Sequence, residues 1–114
     1  MISGKRLDVV FYRTDAGREP VREWLKKLPR EDRRSIGIDL KTVQFGWPLG
    51  MPLVRKLEPE VWELRSNLDR RIARVLFTVD GETVVLLHGF VKKSQKTPLS
   101  DLEVARSRKA ELEK

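Results

Sequence analysis

Cationic side chains, a histidine and a glutamate recur within one stretch of the chain, residues 61–98, and together they suit the chemistry of RNA. Cleavage of RNA requires a base that takes the proton of a ribose 2′-hydroxyl, cations that stabilise the extra charge on phosphorus, and an acid that protonates the leaving 5′-oxygen. Arginine and lysine supply such cations, whereas histidine, a carboxylate or an activated lysine supplies the acid or the base. The candidates are Glu63, Arg65, Arg74, His88, Lys92, Lys93 and Lys96.

Alternation of apolar and charged residues predicts that two of these arginines lie side by side. The segments VWELR and RIARVLFTV both have the period of a half-buried strand. Antiparallel partners point the same way, so we expect Leu64 opposite Val75 in the core, which sets Arg65 opposite Arg74. Like charges placed opposite each other repel, and their pairing therefore indicates a bound anion. The alternative is two solvated arginines that reach apart on an exposed face.

The position of His88 depends on the turn at the Asp-Gly pair, residues 80–81. A two-residue loop sets His88 opposite Ala73 on the core side, where it would be a buried structural histidine. A three-residue loop sets it opposite Arg74 and forms one row of Arg65, Arg74 and His88. We favour the second register, in which a neutral imidazole accepts the 2′-hydroxyl proton.

The elements that position this set predict an α+β domain. They are a strand at 7–12, a short helix at 19–29, a second helix at about 31–45, three strands between 61 and 90, and a last helix from about residue 101. We expect an antiparallel-rich sheet of about four strands with two N-terminal helices packed on one face, a basic open face and a short C-terminal helix. The segment from Gly46 to Pro59 is rich in Gly and Pro and predicts a long irregular connection, in which Arg55 and Lys56 either overhang the open face or are solvated.

Length, charge and composition narrow the class of protein. The 114 residues suit a single domain, residues 1–114, with one core. Absence of cysteine and the presence of one histidine exclude disulfides and thiolate or histidine metal clusters, so we expect neither a metal nor a cofactor. The net charge of +7 favours a polyanionic partner. No apolar run suits a bilayer and no signal-peptide pattern is visible, which predicts a cytoplasmic protein without a membrane partner.

The strings VWELR, RIARVLF and LLHGFVKKSQKTP, followed by a helix with Ala105-Arg106, resemble the phage-derived HigB-like branch of the RelE/ParE toxin superfamily. The resemblance covers most of the chain, and LLHGFVKKSQKTP is its specific part. It implies a RelE-like fold and the toxin of a type II toxin–antitoxin system, which acts as a ribosome-dependent endoribonuclease on translated mRNA. The implied partners are the ribosome, mRNA and a cognate antitoxin of the helix-turn-helix type.

The resemblance also implies roles for particular residues. Arg65 and Arg74 match RNA-contacting strand positions, the latter at the scissile phosphate, and Lys92 or Lys93 matches the basic position after the last strand. Some family members use a tyrosine near the C-terminus, whereas this chain has only Tyr12, in the first strand. The catalytic set is expected to be Arg65, Arg74, His88, Lys92 and Lys93, and the RNA-binding set Arg55, Lys56, Glu63 and Lys96. Two alternatives remain open, because ParE-like relatives poison DNA gyrase and a basic module of this fold can bind RNA without cutting it.

Overall fold

The computed structural model describes residues 6–92 and 96–114 and has the predicted α+β class. It contains β1 (Asp8–Phe11), α1 (Pro20–Lys26), α2 (Arg30–Gly46), β2 (Val54–Glu58), β3 (Val61–Leu68), β4 (Arg71–Asp80), β5 (Thr83–Lys92) and α3 (Leu99–Leu112). Within the described residues the sheet thus has five strands, whereas we expected about four. The additional strand is β2, which lies inside the segment expected to be an irregular connection.

One twisted sheet has the strand order β1-β5-β4-β3-β2, in which β1 runs parallel to β5 and the other pairs are antiparallel. The last four strands form a meander joined by two-residue turns at 59–60, 69–70 and 81–82. Each turn contains one residue of positive φ, namely Glu60, Arg70 and Gly81. Such tight connections fix which residues face each other, and so they determine the side-chain rows of the sheet.

The main core lies between one face of the sheet and the helices α1 and α2, as predicted. Val21 of α1 and Ile36 and Val43 of α2 are buried there. From the sheet they meet Leu64, Val75, Phe77 and Leu86, and Trp62 packs at the margin. Helical spacing in α2 continues through Gly37 without interruption. The two N-terminal helices therefore leave the opposite face of β3 and β4 to the charged residues.

That opposite face is not open, which corrects the expectation of a basic open surface. Helix α3 packs across it, and Ala105 is buried with Tyr12, Leu76, Val85 and Leu87 in a second apolar cluster. The apolar stripe of α3 is narrow, since Leu99 and Leu112 at its two ends are both exposed. Polar contacts to the strands supplement this packing, and the C-terminal helix thus becomes one wall of the candidate site.

Gly89 of β5 is a position where α1 approaches the sheet backbone closely. A β-carbon built at Gly89 would overlap the ring of Trp24. We therefore expect Gly89→Ala to lower the free energy of unfolding by about 1–3 kcal/mol, the usual cost of overpacking. Urea denaturation of Gly89→Ala, Trp24→Leu and the double variant measures this coupling. The double variant should lose less than the two single losses added together, and simple additivity would contradict the close approach.

Candidate active site

The paired arginines lie where the alternation of residues predicted them. Leu64 pairs with Val75 and Arg65 pairs with Arg74, which confirms the register of β3 and β4. The anion that accompanies them is a carboxylate of the chain itself. Glu63 Oε2 lies 3.5 Å from Arg74 Nη1, and Glu63 Oε1 lies 3.9 Å from Arg65 Nε. One carboxylate thus balances part of the charge of two guanidinium groups on neighbouring strands.

The two arginines differ in their exposure to solvent. The side chains of Glu63 and Arg74 are both 0% exposed, whereas that of Arg65 is 13% exposed. A buried charge without a partner is costly, and so Glu63 and Arg74 hold each other in place. Arg65 is the member of this trio that a ligand can reach from solvent. Contact between Arg74 and a scissile phosphate stays a prediction. It requires movement of the segment around Thr97, which covers Arg74.

Thr97 is the residue that covers Arg74 and Glu63. Its hydroxyl donates a hydrogen bond to Glu63 Oε2, and Arg74 Nη1 lies 3.4 Å from the same hydroxyl oxygen. Thr97 directly precedes Pro98 and α3, so this contact fastens the entry of the helix to the centre of the sheet. Thr97, in the KTP end of the LLHGFVKKSQKTP string, therefore covers the paired arginines at Arg74.

His88 lies on the same face but in neither of the predicted registers. Asp80 pairs with Thr83 across the turn at 81–82, and the ladder then shifts by one residue between Leu76 and Phe77. His88 consequently pairs with Leu76, and Phe90 is the residue opposite Arg74. The expected row of Arg65, Arg74 and His88 is wrong, because the two-residue turn is at 81–82 rather than at 80–81 and β5 contains one extra residue opposite the step from Leu76 to Phe77.

The partner of His88 is a carboxylate from α3. His88 Nε2 lies 2.7 Å from Asp101 Oδ1, and the two side chains are 18% and 20% exposed. The ring also stacks on Phe90, with centroids 5.5 Å apart. A neutral imidazole that donates its Nε2 proton to Asp101 keeps its Nδ1 lone pair as an acceptor. Such a carboxylate-oriented histidine has the arrangement of a general base and its positioning residue.

The remaining predicted bases are distributed around this face. Lys92 is exposed at the end of β5 and pairs with Ile72, two residues along β4 from Arg74. Lys96 is exposed directly before Thr97. Lys93 lies outside the described residues.

Arg55 and Lys56 do not lie in a loop, because both belong to β2. Arg55 pairs with Glu63 and shares its face of the sheet, whereas Lys56 pairs with Trp62. Lys56 Nζ lies 5.7 Å from the centroid of the Trp62 ring, on the helix side. Of the two bases expected to overhang the candidate site, only Arg55 shares a face with it.

Further polar contacts between described residues hold α3 over the site besides the His88–Asp101 pair. Arg108 Nη1 donates to the carbonyl oxygen of Leu87 at 2.8 Å, and Lys109 lies 3.9 Å from Glu60. Arg106 donates to Glu58 of β2 at 2.7 Å. This hydrogen bond, with the charge of Arg106, lowers the pKa of the Glu58 carboxyl below its ordinary value. Polar anchoring of this kind allows α3 to cover the face with few buried apolar side chains.

A cleft of about 520 Å³ gives access to Arg65 from the side. It opens where β3 continues beyond the first residue of β2, and Arg65, Asn67 and Asp39 of α2 supply polar groups to its wall. Asp39 Oδ2 accepts a hydrogen bond from the Ser66 hydroxyl at 2.5 Å. The remaining lining residues are Ser35, Ile38, Pro52, Leu53 and Ile72. A phosphate could therefore approach Arg65 while Arg74 stays covered.

Two residues of this site escaped prediction from the sequence. Thr97 precedes α3 and Asp101 lies in its first turn, and the sequence predicted no position on the sheet for that helix. The signal for Thr97 was present in the KTP end of the specific string, yet only its lysines were assigned a role. Asp101 lies in the first turn of α3, where an acidic residue is usual and so gives no functional signal.

The described residues contain neither a metal-binding cluster nor a membrane-spanning helix. Within residues 6–92 and 96–114, no group of three or more His, Asp or Glu side chains could hold a metal ion. In the same part of the chain, no helix is both long and apolar enough to cross a bilayer.

Comparison with known proteins places the chain in a family. A search of curated proteins finds no match. The model of the family described as "Phage derived protein Gp49-like (DUF891)" matches residues 23–110. That family is toxin-like and related to toxins of the RelE/HigB type. The match spans most of the 114 residues, from the middle of α1 almost to the end of α3, and the chain therefore belongs to the Gp49-like family of phage-derived proteins.

Proposed function

We propose that this protein is the toxin of a type II toxin–antitoxin system and that it cleaves translated mRNA on the ribosome. The observation that carries the proposal is the oriented histidine on the arginine-bearing face, with His88 Nε2 2.7 Å from Asp101. Membership of a toxin-like family supports the toxin role. The excess of basic residues supports an RNA substrate, since the net charge is +7.

In the proposed reaction His88 is the general base. Its Nδ1 takes the proton of the ribose 2′-hydroxyl, and the 2′-oxygen attacks the adjacent phosphorus. The bond from phosphorus to the 5′-oxygen breaks, which leaves a 2′,3′-cyclic phosphate on one product. Lys92, exposed on the same face, is our candidate for the acid that protonates the leaving 5′-oxygen. Lys93 and Lys96 extend this basic segment, and their proposed role is to bind the RNA backbone.

Arg65 and Arg74 have different roles in the proposed reaction. Arg65, reached through the side cleft, binds the non-bridging oxygens of the scissile phosphate and stabilises the charge that develops on them. Arg74 is a positioning residue while Thr97 covers it, because its ion pair with Glu63 fixes the carboxylate that orients Arg65. Arg55 shares this face and would contact the RNA backbone beyond the scissile bond. Lys56 lies on the other face, and its role in RNA binding is the weakest of the set.

The proposed partners follow from the same function. The ribosome would present mRNA to the site, and an antitoxin would block toxicity until it is degraded. We propose an antitoxin of the helix-turn-helix type and a cytoplasmic location, where ribosomes and mRNA are available. No metal ion enters the proposed reaction, since the chain's own cations and its histidine cover each step.

Pulse labelling after induced expression tests the proposal in cells. An mRNA-cleaving toxin should stop incorporation of labelled methionine within minutes, while thymidine incorporation continues at first. A gyrase poison should stop thymidine incorporation first and leave mRNA whole. An RNA-binding module without activity should change neither. Either of the last two results would overturn the proposed reaction and leave the family assignment in place.

A further inference from the structure

A second surface of the molecule has the chemistry of a docking groove. A groove of about 370 Å³ runs between α2 and the edge strand β1, along the flank of α2 that faces this edge of the sheet. Val9, Ile38 and Leu40 supply apolar surface, and Arg34 and Lys41 supply positive charge. Gly37 and Gln44 complete the lining, so no carboxylate lines the groove within the described chain.

The exposed surface of α2 repeats at helical spacing along this groove. Arg34, Ile38, Lys41 and Phe45 occur at intervals of four, three and four residues and so form one stripe. Ile38 and Phe45 are 56% and 53% exposed, which is unusual for large apolar side chains on the outer side of a surface helix. The stripe therefore alternates a base with an apolar side chain over three turns.

Gly37 leaves the backbone of α2 accessible from the groove. A β-carbon built there would meet no heavy atom within 4 Å, so the space above Gly37 is open. Glycine inside a helix is unfavourable relative to alanine, and no packing contact requires it at this position. An occupant that approaches the helix closely would benefit from the missing side chain.

We propose that this groove binds an acidic amphipathic segment of the antitoxin, an inference that rests on the proposed toxin function. Apolar side chains of the segment would pack on Val9, Ile38 and Leu40, and its carboxylates would meet Arg34 and Lys41. Charge complementarity selects an acidic occupant, because every charged side chain that lines the groove is basic. The groove lies on the helix side of the sheet, opposite the face that carries His88, and it shares Ile38 with the cleft that leads to Arg65. The antitoxin can therefore hold the toxin without contacting His88.

Charge insertion at Gly37 tests the groove without disturbing the core. The probe is the antitoxin encoded by the gene that adjoins the toxin gene, titrated calorimetrically into purified toxin. Gly37→Glu and Lys41→Glu should each weaken binding by about 30-fold or more, the scale of an interface hot spot. Thr42→Glu is the matched control, since Thr42 is exposed on the same helix but does not line the groove. It should bind within about threefold of the wild type.

Expression of the variants without antitoxin distinguishes a failure of the proposed groove from a failure of the proposed toxin function. Gly37→Glu and Lys41→Glu expressed alone should arrest growth as the wild type does, and the antitoxin should fail to rescue them. Wild-type affinity in both variants, or no binding of the antitoxin by the wild type, would overturn the groove. If the variants change the oligomeric state or the RNA affinity while antitoxin affinity is unaltered, the antitoxin is not the occupant. The groove would then bind a second copy of the chain or RNA. If the wild type does not arrest growth, the proposed function fails while the titration still reports on the groove.

Discussion

Replacing Arg74 with alanine is expected to lower the free energy of unfolding by about 3–5 kcal/mol, because it leaves the buried Glu63 carboxylate without its main partner. A small domain has only about 5–15 kcal/mol in total, so much of the protein should unfold at growth temperature. Urea denaturation followed by circular dichroism measures the loss. Stability equal to that of the wild type would show that Glu63 and Arg74 do not form the pair.

A double variant distinguishes the structural role of this pair from its role in catalysis. Glu63→Leu with Arg74→Met replaces both charges with apolar side chains of similar size, and such replacements of buried ion pairs are often neutral or stabilising. We expect the double variant to regain most of the stability lost by Arg74→Ala. It should still fail to arrest growth, since Arg65 would lose the carboxylate that orients it. A stable double variant that remains toxic would place catalysis elsewhere.

Replacing His88 with glutamine is expected to slow RNA cleavage by about 100- to 10,000-fold if histidine is the only base. The glutamine amide can still donate a hydrogen bond to Asp101, so α3 should stay in place and ribosome binding should be kept. Single-turnover cleavage of ribosome-bound mRNA, measured beside the affinity of the variant for the ribosome, separates the two effects.

Asp101→Asn is the matched variant for the positioning role. An asparagine amide that donates to His88 Nε2 would favour the tautomer with its proton on Nδ1, where the proposed base needs a lone pair. Cleavage should fall although thermal stability changes little. Cleavage by His88→Gln at the wild-type rate would remove the histidine from the reaction and leave the base to be sought at Lys92 or in the lysines that follow it.

The sequence was most informative where burial and alternation agree. Leu64 and Val75 had to share the core, and a slip of one residue would have moved the whole strand to the other face. That constraint was enough to pair Arg65 with Arg74. Helical spacing likewise predicted α2 to within one residue at each end, since Ile36 and Val43 mark its buried side.

The sequence was least informative where polar contacts decide the packing. Helix α3 has a single fully buried side chain, Ala105, and it is anchored by Asp101, Arg106 and Arg108. Ion pairs between distant segments have no period along the chain, and so nothing predicted that α3 would cover the arginine row. The register of His88 was missed for a related reason, because the extra residue in β5 is a tertiary feature.

Mapping of mRNA 5′ ends in a purified translation system tests most directly whether this toxin-like protein cuts mRNA on the ribosome, as we propose. The wild-type protein should generate new 5′ ends within the translated region when ribosomes are present, and none on the same mRNA without ribosomes. His88→Gln should produce few of these ends at equal concentration. Intact mRNA in the presence of translating ribosomes, together with cleaved DNA complexes when gyrase and DNA are added, would contradict the account and identify a gyrase poison of the same fold.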